Sequence, residues 1–245
     1  MDLTQRDQVR GLNVIVSAHF ADVGVRATRA VLRERPRPES TPGLRYAQTT
    51  LTGLIASGPP VVRPGRAALL AAWEGDAALD RFLAEARLAR RLADGWHVRL
   101  RPLRLAGAWP GMPVEIEPGA ARDEEDGPVV VLTLGQLRLR RALPFLRANS
   151  RAAGRAAADP AMVASVALAR PPRFVGTFSV WESTSAMCHY AYGADRPAHR
   201  EAVGEHQEKP FHHEAAFLRC RPYGAQGLLD GREPVEAAGR AARAS

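Results

Sequence analysis

Short apolar runs of strand length alternate along the chain with longer stretches in which Arg and Ala interleave with Leu, and the whole alternation occurs twice. Residues 67–74 read AALLAAWE and residues 175–182 read VGTFSVWE, two runs that close on Trp-Glu and predict buried strands. A helical stretch follows each. DAALDRFLAEARLARRLADG runs from Asp76 as N-cap to Gly95 as stop, and STSAMCHYAYG is capped by Ser183. Each helix leads into a strand with Arg at alternate positions, WHVRLRPL (96–103) and AFLRCRPY (216–223), so Arg99 and Arg101 correspond to Arg219 and Arg221. The openings match as well: LNVIVSAHF (12–20) and PVVVLTLG (128–135) read as strands. Each is followed by an Arg/Ala/Leu helix, VRATRAVLRER or LRRALPFLRANSRAAG, and then by an extended segment, LRYAQTTLTGLIA or MVASVALA.

The order β-α-β-β-α-β, met twice, predicts an α+β fold of two tandem ferredoxin-like units, and by analogy their sheets pack together as an α+β barrel. The first unit is expected over residues 1–110, a linker rich in Pro, Gly and acid over 111–127, and the second unit over 128–223. Residues 224–245, ending in Gly, Ala and Arg, are expected to fray.

Composition narrows the classes. With 245 residues and 46% hydrophobic content the chain can bury a proper core. The formal charge of +8 comes almost wholly from Arg, Lys209 being the one lysine. No Lys/Arg run or recognition motif accompanies it, so nucleic acid is not an expected partner. Cys188 and Cys220 are too few for a disulfide framework and fit a reducing compartment. No apolar stretch approaches the ~20 residues of a membrane helix, so no transmembrane segment is expected and the expected location is cytoplasmic.

The copies are unequal, and function is expected where they differ. Trp181 to Pro222 spans 41 positions against 29 from Trp73 to Pro102, and the added stretch holds five of the seven histidines: His189, His199, His206, His212 and His213. His199 and His206 lie seven apart in AHREAVGEHQE and share a helix face if that segment is helical. Their spacing is not a zinc signature. A single axial imidazole on haem iron needs no fixed spacing, so the pattern permits haem, a solvated polar helix or other catalytic use. In the last strand, alternation sets Ala216, Leu218 and Cys220 on one face and His213, Phe217, Arg219 and Arg221 on the other. The first face is expected to pack on helices and the second to line a cleft or the barrel interior. Cys220, the counterpart of Leu100, reads as a buried inert thiol, with a haem thiolate as the alternative. Arg219 and Arg221 could hold a carboxylate such as a haem propionate, or serve the architecture as Arg99 and Arg101 do. Trp73 and Trp181 read as core anchors, and Met187, Tyr190 and Tyr192 as core or pocket wall.

The segments ARPPRFVGTFSVWESTSAMCHYAYG, HREAV and FHHEAAFLRCRPY, in that order, resemble the C-terminal half of the spheroidene monooxygenase family, and LTLGQLRLRRALPFLRANSRA resembles the start of the same module. The likeness covers residues 128–234 well and the first copy loosely; FHHEAAF departs from the usual wording of its element. It implies a haem-containing, O2-dependent monooxygenase that inserts a keto oxygen into a hydrophobic substrate, an acyclic carotenoid, with reduced ferredoxin as electron donor. Carried over residue by residue, the H-x-x-A histidine falls on His199 as axial ligand. His213 is the second choice, as ligand or distal polar group, with Arg219 beside it. Two other readings accompany this one: a haem- or small-ligand-binding barrel without turnover, and a cofactor-independent oxygenase with histidine bases. Homo-oligomerisation is left open.

Overall fold

The computed structural model describes residues 14–55, 61–112, 114, 116, 127–141, 158–192 and 212–243. Its strands are β1 (Ile15–Asp22), β2 (Leu44–Leu54), β3 (Val61–Trp73), β4 (Trp96–Gly107), β5 (Val129–Leu137), β6 (Met162–Arg170), β7 (Phe174–Trp181) and β8 (His212–Gln226). They close into an antiparallel barrel in the order β1-β3-β2-β6-β7-β5-β8-β4. Within it the order β4-β1-β3-β2 is matched by β8-β5-β7-β6, the strand order of a ferredoxin-like unit in each half. The duplication holds in register: Val16 lies opposite Leu100 as Val130 lies opposite Cys220, and Ile15 opposite Trp73 as Val129 opposite Trp181.

Two seams join the halves. β4 runs along β8 from His97 opposite Gln226 to Gly107 opposite Ala216, whereas β2 meets β6 only from Leu51 opposite Ala169 to Gly53 opposite Ala167. Along each strand alternate residues turn into the barrel. Val16, Ala18 and Phe20 do so from β1, Leu132 and Leu134 from β5, and Ala216, Leu218 and Cys220 from β8, all in one buried cluster. Phe20, Trp96 and Phe178 meet ring on ring at its centre, with centroids 4.9–5.8 Å apart. Burial of each such ring contributes roughly 1.5–3 kcal/mol. The Leu218/Cys220 face thus lies in the barrel core and not against helices, because each sheet turns this face toward the other; the Arg219 face points outward.

Both barrel mouths are stopped. At one, helix α5 (Pro234–Ala242) buries Ala238, and its cap Glu233 accepts bonds from Val235 N, Glu236 N and, at 2.9 Å, Trp96 Nε1. The carboxy-terminal stretch therefore folds where fraying was expected, with Leu229 and Ala238 completing the core. At the other mouth Trp109 packs edge-on against Phe174 and donates to Tyr46 Oη at 2.9 Å. The inward-facing apolar residues among those described form one packed cluster.

Outside the first half lie α1 (Val25–Arg33), α2 (Asp76–Glu85) and α3 (Arg87–Leu92); outside the second lies α4 (Thr184–Tyr192). The sequence predicts one helix over 76–95, but extended Ala86 divides it. The break resets the apolar stripe, so Leu79 and Phe82 from α2 and Leu88, Ala89 and Leu92 from α3 all reach the sheet. The helix expected after β5 falls outside the described residues beyond a 3-10 turn at Leu139–Arg141.

Candidate functional site

The interior cluster is apolar, and polar side chains of both halves lie on the outer faces of the two sheets. In the first half that face is covered. Trp73 Nε1 donates to Ser17 Oγ at 2.9 Å, His19 Nε2 lies 3.0 Å from the same oxygen, and His19 stacks on His97 with centroids 5.5 Å apart. Helices α1 to α3 cover this layer, leaving His19 3% exposed. Burial above all, with His97 and Arg99 adding to it, lowers the His19 pKa to about 3, and burial lowers His97 as well. Burial thus favours the neutral form of both imidazoles. Arg99 donates to Asp76 and Asp80 on α2, each at 2.5 Å, and Tyr223 Oη also donates to Asp76, at 2.9 Å.

The equivalent face of the second half is built from the same positions with different side chains. Thr133 stands for His19 and Phe217 for His97, as the register requires. Phe217 is 51% exposed. Arg219 stands for Arg99, half-buried, with its Nη1 3.8 Å from Cys188 Sγ. Cys188 is the fifth residue of α4 as Asp80 is the fifth of α2, and Thr184 opens α4 as Asp76 opens α2. Both carboxylates that neutralise Arg99 are therefore absent at the twin positions. Trp181 holds this end in place: its Nε1 donates to Ser179 Oγ at 3.0 Å, and its ring lies 5.0 Å from that of Tyr190 on α4.

A β-bulge decides which histidine shares this outer face. Gln136 pairs with Glu214 but Leu137 pairs with His212, so His213 is the extra residue. His213 is exposed, while His212 is turned onto the outer face beside Gly135, where a Cβ would come 2.5 Å from its ring. Glycine at 135 makes the room for that imidazole. The sequence carried this signal, an isolated glycine in an otherwise β-branched and apolar strand, which marks a bulge or a close approach; reading β8 by strict alternation missed it. Arg138 Nε donates to the His212 carbonyl at 3.1 Å and ties down the strand end.

The remaining expected residues divide. Arg221 shares the outer face with Arg219, half-buried, opposite Arg101, whose guanidinium lies 5.4 Å from the centre of the Tyr223 ring. Cys220 is fully buried in the core, and burial pushes its thiol pKa well up, which removes the thiolate alternative. His199 and His206 lie outside the described residues. No group of three or more His, Cys, Asp or Glu among the described residues could hold a bare metal ion. An open hollow of about 390 Å³ between α1 and α2 belongs to the first half and is lined by no histidine or cysteine.

The architecture defines an α+β barrel of duplicated ferredoxin-like units, whose second half carries Phe217, Arg219 and Arg221 on its outer face. The chain is 31% identical over 205 residues to spheroidene monooxygenase of Rubrivivax gelatinosus, spanning 78% of this chain and 73% of that protein. It is 27% identical over 139 residues to spheroidene monooxygenase of Rhodobacter capsulatus, spanning 56% and 57%. The chain belongs to the spheroidene monooxygenase family. No family profile matches it. Among solved structures, the aldoxime dehydratase OxdRE in complex with butyraldoxime aligns with a TM-score of 0.53 at 11% identity, covering 92% of this chain and 86% of that one, a likeness of fold alone. Both curated relatives are named monooxygenases, an oxidoreductase class.

Proposed function

We propose that the chain is a haem-dependent monooxygenase of a hydrophobic substrate, an acyclic carotenoid, supplied with electrons by a ferredoxin. The observation that carries the reading is the chain's 31% identity over 205 residues to a protein named spheroidene monooxygenase. Arg219 and Arg221, half-buried on the outer face of β8, suit a carboxylate such as a haem propionate. The neighbouring Thr133, Gly135 and Phe217 suit a flat apolar body. The residues present therefore fit the group. Arg219 and Arg221 would hold its carboxylates, His199 would bind its iron, and His212 would stand as a polar group on the same face. Bound haem would supply the O2 chemistry that places a keto oxygen on the substrate. The chain's own part is to orient the ligand against the sheet and to exclude water with α4.

The test is the visible spectrum of protein made with a haem supply. The wild-type protein is expected to show a Soret band that His199→Ala abolishes. Arg219→Ala, and Cys188→Asp, which sets a carboxylate beside Arg219 as Asp80 stands beside Arg99, should each weaken haem binding about 10- to 150-fold, the worth of one charged hydrogen bond. A colourless wild-type protein, or equal titration curves for all variants, sinks the reading.

A further inference from the structure

We propose that the barrel end at the β2–β3 hairpin is a docking surface for an anionic lipid bilayer. Among the described residues eight large apolar side chains are exposed, and five of them gather here: Val25, Leu54, Val61, Val62 and Leu228, between 40 and 59% exposed. Strand pairing and backbone bonds bring them together. Leu54 lies opposite Val61 and Gly53 opposite Val62. Val23 N and Gly24 N both donate to Gly65 O at 2.9 Å, which seats Val25 at the start of α1 beside the same arm of the hairpin. Arg63 Nη1 donates to Asp230 at 2.7 Å and so draws in the turn that carries Leu228. An apolar group of this size at one end of a barrel marks a contact surface.

Charge says what kind. Helix α1 carries Arg26, Arg29 and Arg33, all exposed, and no acidic residue. Exposed Arg232 adds to them from the Leu228 turn. The carboxylates of the same end are mostly engaged: Asp22 and Asp230 by Arg66 at 2.5 and 2.9 Å, and Glu236 by Arg240 at 3.5 Å, leaving Asp94 exposed. Apolar side chains rimmed by arginines match the interface of a negatively charged bilayer, where the former enter the acyl boundary and the latter meet phosphates. No helix among the described residues is long and apolar enough to cross a membrane, so the contact is peripheral. The proposal does not depend on haem or on turnover.

Co-sedimentation of the full chain with vesicles of phosphatidylcholine, with and without phosphatidylglycerol, tests it. Binding is expected only with the anionic lipid and should fall as salt is raised. Val61→Ser/Val62→Ser should weaken it at least tenfold, and Arg26→Glu/Arg29→Glu roughly fivefold or more for each residue reversed. Leu139→Ser, at an exposed leucine outside this end, should leave it unchanged, with circular dichroism confirming that each variant is folded. Equal binding to both vesicles, no binding, an equal loss in Leu139→Ser, or self-association that the hairpin variant breaks would each overturn the proposal.

Discussion

Arg99 and Arg219 occupy one position in a duplicated sheet, yet the first is locked to α2 by two aspartates and the second stands beside a thiol. The same contrast extends across the whole outer face. Ser17 and His19 are buried beneath the helices of the first half, whereas their counterparts Val131 and Thr133 lie beside exposed Phe217, the counterpart of His97. Duplication lets one copy keep the fold while the other changes its surface. The first half keeps Asp76 and Asp80 against Arg99, and the second has Thr184 and Cys188 at the aspartate positions.

The sharpest way to break this comparison is to cut each face at one ring. Trp73→Ala removes a fully buried indole and its bond to Ser17, and should cost about 3–5 kcal/mol by chemical denaturation. Phe217→Ala, on the open face, should stay within about 0.5 kcal/mol. Equal costs would mean that the halves share the structural burden.

Acid sharpens the contrast next. His19 titrates at about 3 in the folded chain against 6.5 ordinarily, so its contribution is complete above pH 6.5 and is lost as pH falls from there toward 3. His97 shifts in the same direction. Stability should fall by up to about 1.4 kcal/mol per pH unit for each such proton. His19→Thr, which installs the second-half residue, should flatten that slope in denaturation measured between about pH 7 and pH 4; an unchanged slope would assign the acid sensitivity elsewhere. A modest effect is expected at the first-half arginine. Arg99→Ala loses ion pairs to carboxylates that are more than half exposed and should cost about 1 kcal/mol at most in denaturation.

Much of the sheet was legible in the chain. The paired Trp-Glu endings, the alternating arginines and the match of Cys220 to Leu100 all survive as register, because strand periodicity is local and the repeat doubles each observation. What escaped reading is non-local. Alternation separates two faces of β8 but cannot say which meets the opposing sheet, so the Leu218/Cys220 face, expected against helices, lies in the barrel core. Strict alternation also cannot survive an extra residue, and the bulge at His213 puts His212 on the outer face beside Gly135. Glu233 and Pro234 in GREPVEAAG form a cap and a first turn of a helix, a local signal that the Ala, Gly and Arg content of the tail masks.

The unequal seams have a mechanical consequence. A cylinder fastened along one long row of amide bonds and one very short row behaves as a hinged shell: β4–β8 is the spine and β2–β6 the clasp. Deuterium should therefore enter the backbone first at Leu51–Gly53 and Ala167–Ala169, and last along the spine. Any opening of the shell would separate the two halves there without disturbing the pairing of β5 with β8.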